Sequence, residues 1–132
     1  MKHVSLIAIE MKCFFFYIII KVQYLLKRVD VNTTGLQNWT ALHEACAGDH
    51  KETAFVLMEE QADVEKRTLD GDTALHLAAR NGSTAIVKEL VRHKCDIDAL
   101  DGKGETALRI ALKNGYTSIS EFLLQNKASA DL

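Results

Sequence analysis

Proline is absent from this 132-residue chain. Without its fixed φ, every turn must be made by glycine, by Asx residues or by other residues under backbone strain. Cysteine is scarce, and Cys13, Cys46 and Cys95 form no spaced framework. An odd, sparse set reads as reduced thiols, which places the chain in the cytoplasm or the nucleus. Neither charge sign dominates, with 16 Lys and Arg against 18 Asp and Glu mixed throughout. A dedicated nucleic-acid binder needs a basic stripe against phosphates, so nucleic acid is not expected as a partner. Aromatic residues make up 7% of the chain and include a single tryptophan, Trp39.

Signatures of chemistry are missing as well. No glycine-rich phosphate loop, serine nucleophile elbow or matched acid pair occurs. His43-Glu44 is not a zinc-protease pattern, because the second histidine, His50, falls seven residues on instead of four. His93 and Cys95 lack two further ligands at useful spacing. Asp96-x-Asp98-x-x-Asp101-Gly102 imitates a calcium loop, but its third aspartate is one position late. Ala107 stands where the bidentate glutamate belongs. No catalytic residue, cofactor, metal or small-molecule substrate is expected. Asn32, Asn38 and Asn81 head glycosylation sequons, yet these residues also suit turns and caps, and sequons matter only in the secretory pathway.

What the chain has is repetition. Thr40-Ala41-Leu42-His43 returns as Thr73-Ala74-Leu75-His76 and, with one change, as Thr106-Ala107-Leu108-Arg109, each 33 residues after the last. A period of that length is one supersecondary unit stacked on copies of itself. Each threonine precedes a short apolar run and can cap the first turn of a helix. Asn81-Gly82 and Asn114-Gly115 stop that helix, while Gly48-Asp49 is expected to shift the stop by one in the first full copy. A second apolar helix follows in each copy, marked by Phe55 to Met58, by Ile86, Val87, Leu90 and Val91, and by Ile119 and Phe122 to Leu124. His43 and His76 are expected to bond to their threonines or to the neighbouring turn.

The pattern Gly-x-Thr-Ala-Leu-His-x-Ala-Ala, then Asn-Gly, Ile-Val-x-x-Leu and Ala-Asp-Val, resembles the ankyrin repeat. The middle copy, with Asp70-Gly71-Asp72-Thr73-Ala74-Leu75-His76-Leu77-Ala78-Ala79, carries the likeness best. The resemblance implies an all-α solenoid of stacked helix-turn-helix pairs with short β-hairpin fingers between them. Its copies are 35–67, 68–100 and 101–132, with a degenerate copy from 20 to 34, for four pairs in all. Alanine replaces the family's proline after each threonine. Arg28, Gln61, Lys94 and Lys127 stand where glycine usually ends the second helix, so those turns should be strained, at roughly 1 kcal/mol each. Arg109 and Ser120 make the last copy more polar, as a terminal cap requires; a cut from a longer array is the alternative.

Residues 1–19 fit poorly and read as an irregular hydrophobic segment. Cys13 to Ile20 is an uncharged run of eight. A membrane span needs about 20 residues, so membrane association is not favoured. A degenerate repeat, an anchor or uncleaved signal, and a disordered start remain alternatives.

The resemblance also implies a non-catalytic scaffold that holds a partner protein along its groove and fingers. The alternative is a regulatory or substrate-recognition fragment of a larger enzyme or ubiquitin-ligase adaptor, with a membrane tether as a further option. Partner-contacting positions would be Leu36, Gln37 and Trp39; Leu69, Asp70, Asp72 and Arg80; and Lys103, Glu105 and Lys113, with Ala47 and Asn114 beside them. Trp39 fills the slot of Asp72 and Glu105, either as a binding hot spot or as packing against the degenerate copy.

Overall fold

The computed structural model describes residues 31–126. Six helices follow one another: α1 Ala41–Ala47, α2 Lys51–Glu59, α3 Ala74–Asn81, α4 Thr84–Arg92, α5 Ala107–Lys113 and α6 Thr117–Gln125. They form three antiparallel pairs in two layers. In one layer α1 packs on α3 and α3 on α5; in the other α2 packs on α4 and α4 on α6. The expected fourth pair, the degenerate copy up to residue 34, lies almost wholly outside the described residues, as does the 1–19 segment. No helix among the described residues is long and apolar enough to cross a membrane.

Short helices hold because each apolar face is covered by a neighbour. Ala45, Ala78 and Ala111 are fully buried, and their small side chains let the first helices lie close together. Leu42, Leu75 and Leu108 fill the core beneath them, with Leu57, Leu90 and Leu123 from the second layer. Each fully buried leucine contributes about 1.5–3 kcal/mol over its exposed state.

The turn inside each pair is the same three times. The amides of His50, Ser83 and Tyr116 donate to the carbonyls of Ala45, Ala78 and Ala111, each at 2.9 Å. The residue just before each donor is left-handed: Asp49 at φ 57°, Gly82 at 72° and Gly115 at 74°. The stop in the first copy is therefore not shifted. Gly48 keeps φ −97°, and Asp49 takes the left-handed position because a short Asx side chain tolerates it. At the end of the second helices Gln61 (φ 72°) and Lys94 (φ 66°) are left-handed without being glycine, as the sequence implied.

The fingers differ from expectation. They are tight turns, and no strand is present among the described residues. One finger is closed by Thr68 N–H to Asp72 O at 2.9 Å, the next by Asp101 N–H to Glu105 O at 2.9 Å. Five residues per finger leave room for a turn and one closing bond, too few for a ladder.

Candidate functional site

The fingers and the C-terminal ends of the first helices form one continuous surface. Its order begins in the caps. Thr40 Oγ1 accepts from the amide of His43, and the amide of Thr40 donates to His43 Nδ1 at 2.9 Å. Thr73 and His76 repeat this, with the Thr73 amide 3.1 Å from Nδ1. An Nδ1 that accepts from a backbone amide carries no proton, so the proton sits on Nε2. From there His43 donates to the carbonyl of Lys66 at 2.8 Å and His76 to that of Ala99 at 2.9 Å. Each histidine thus ties a helix start to the approach of the next finger, with both ring nitrogens engaged by backbone. Burial pushes both imidazoles below their ordinary pKa, against the opposing effect of those carbonyls and nearby carboxylates.

The fingers are braced against one another. Leu69 N–H donates to Gln37 O at 2.9 Å, and Asn38 Nδ2 donates to Arg67 O. Arg67 Nη1 donates to the carbonyls of Gly71 and Leu100. Between the second and third fingers the contact is backbone on backbone. A Cβ at Gly102 would lie 2.1 Å from Asp70 O, and one at Gly71, where φ is +88°, would lie 2.7 Å from Gly102 N. Only glycine fits there.

Behind the fingers, ion pairs join finger base to helix end. Arg80 on α3 reaches Asp72 at 3.1 Å and Asp101 at 3.4 Å. Lys113 on α5 reaches Glu105 at 2.8 Å, and Arg109 reaches the same carboxylate at 3.4 Å. Asp101 is buried and accepts from the amides of Lys103 and Glu105. Burial raises its carboxyl, but those amides, with His76 and Arg80, outweigh it and hold the pKa below the usual range.

Each expected contact residue falls on this surface. Leu36, Gln37, Leu69, Asp70 and Lys103 are exposed on the fingers; Trp39, Asp72 and Glu105 are half-buried at their bases; Arg80 and Lys113 are exposed at the ends of α3 and α5. Trp39 sets its ring edge-on to His43, centroids 5.9 Å apart, so it is partly structural. Sequence reasoning missed Asp101, Arg67 and Leu100. Asp101 could have been found from its register with Thr68, whose hydroxyl accepts from the Asp72 amide at 3.1 Å in the same way.

The two described cysteines are held as thiols. Burial pushes the Cys46 thiol far up and the Cys95 thiol up to about 12, so neither is a thiolate at neutral pH. No three His, Cys, Asp or Glu side chains there gather as a metal site requires.

Comparison with known families gives two matches. The family described as ankyrin repeats in three copies matches residues 56–132. The single ankyrin repeat matches residues 37–69. No curated protein matches the chain.

Proposed function

The chain belongs to the ankyrin-repeat family, and we propose that it is a non-catalytic scaffold that binds a partner protein through its groove and fingers. Ankyrin repeats are generally protein–protein interaction modules. The observation that carries the proposal for this chain is the exposure of leucines along the finger edge. Leu36 is 91% exposed, Leu69 75% and Leu100 52%. Leu36 and Leu69 hold the same place in successive fingers and Leu100 stands just before the next one. The fold buries none of them, and exposed apolar side chains beside a polar, ion-paired floor are the composition of an interaction surface. The bracing of Arg67, Gln37 and Gly102 supports the same reading. A surface held rigid before binding loses little entropy on binding.

The test is proximity labelling in cells with the wild-type chain and with Leu36→Asp/Leu69→Asp. Both side chains are exposed, so the variant should fold. A set of neighbours depleted in the variant at equal abundance supports the role; an identical set in both contradicts it. A cytoplasmic location belongs to the same proposal. The free, buried Cys46 and Cys95 suit a reducing compartment. Recovery of the protein with secreted or membrane fractions would overturn that placement.

A further inference from the structure

The link between finger base and helix end is not uniform. In the second and third copies it is an ion pair, Asp72 with Arg80 and Glu105 with Lys113. In the first copy the same two positions hold Trp39 and Ala47. Carboxylate and cation have been exchanged together, which leaves no unpaired charge behind. A methyl group now stands where a long cationic side chain crosses the groove floor in the other copies. Trp39 and Ala47 are half-buried, and Leu36 projects beside them, 91% exposed.

A second departure sits next to the first. Glu44 lies one turn before Ala47 on α1 and is exposed, whereas its counterparts Leu77 and Ile110 are buried. Residues three apart on a helix are surface neighbours, so Glu44 borders the apolar step. Its carboxylate makes no ion pair among the described residues. Acidic residues outnumber basic ones by four over 35–67, by one over 68–100, and balance them over 101–132.

We infer that the first of the three described copies anchors the ligand, and that it takes a protein segment presenting a bulky apolar side chain beside a lysine or arginine. The inference rests on the reading that groove and fingers bind a protein. The apolar group covers Trp39 and Leu36 and fills the space above Ala47. The cation meets Glu44 and can also lie over the indole face. An acidic neighbour would meet Glu44 and the negative excess of this copy, so charge selects against it. In the other two copies the groove charges already satisfy one another. A ligand there exchanges one exposed pair for another and gains little; those copies align the segment.

The test is selection of short random peptides, displayed on phage, against the immobilised full chain. Affinities are then read by anisotropy of labelled peptides. The selected sequences should share an aromatic or large aliphatic residue next to Lys or Arg. Trp39→Asp with Ala47→Arg rebuilds the sibling ion pair and should weaken binding at least ~30-fold, the size of a hot-spot loss. Leu36→Asp, at a side chain the fold does not bury, tests the anchor without risk to packing and should weaken binding about tenfold. Glu44→Lys should reduce affinity for the basic peptides and not for variants with the cation removed. Peptides with acidic residues beside the anchor would overturn the inference. So would binding that survives both the double variant and Leu36→Asp but is lost in Asp70→Lys with Lys103→Glu, although the scaffold role would then stand. A selection in which no binder depends on any finger residue would overturn both.

Discussion

At the scale of single residues, the threonine caps and their histidines make the most specific demands. Thr73 bonds to the His76 amide and ring, while Thr106 bonds only to the Arg109 amide. Thr73→Ala should therefore cost about 1–2 kcal/mol and Thr106→Ala less, as denaturant titration would show. The histidines give a pH dependence. Their folded pKa values lie below the ordinary 6.5, with burial the larger cause. Below pH 6.5 the unfolded chain takes up protons that the folded chain resists. Stability is thus fully present above that pH and is lost as pH falls through the folded values. Denaturant midpoints should drop as pH falls below about 6.5, and His43→Asn/His76→Asn should flatten the slope. An unchanged slope in that variant would show that other groups set it. The cap network was legible because threonine and histidine stand three residues apart, one helical turn. Asp49 was not: glycine announces a left-handed residue, whereas an aspartate that tolerates the role looks like any other acid.

Among elements, the turns store most of what can be improved. Gln61 and Lys94 hold left-handed backbone that costs roughly 1 kcal/mol each relative to glycine. Gln61→Gly and Lys94→Gly should each raise stability by up to about 1 kcal/mol, less the entropy glycine loses on folding. A loss in either would mean that the side chain does more than endure its backbone. The third finger depends on Asp101, whose carboxylate accepts two finger amides. Asp101→Ala leaves both without that partner and should cost about 1–3 kcal/mol. Helix positions were readable from the 33-residue register and the apolar spacing. Finger form was not, since nothing local marks where each finger begins, and only the closing bonds Thr68 N–H to Asp72 O and Asp101 N–H to Glu105 O limit it to five residues. The Gly71–Gly102 contact joins residues 31 apart, which no local pattern reveals.

At the scale of the whole molecule, each described pair packs chiefly on its neighbours, so stability should be local in character. Leu75→Ala or Leu90→Ala in the central pair should cost about 2–5 kcal/mol. Leu124 on α6, already 46% exposed, should cost below about 1 kcal/mol on the same change. Equal costs would contradict the stacked picture. The claim that reaches furthest is that one edge of this stack, fingers and groove, meets a partner protein. Site-specific photocrosslinking in cells tests it most directly. A photoreactive residue would replace Gln37, Asp70 or Lys103 on the fingers, and Lys88 or Glu121 on the second helices. All five side chains are exposed. The account predicts that the three finger positions trap the same partner and the two helix positions do not. Capture of that partner from Lys88 and Glu121, with none from the fingers, would contradict it.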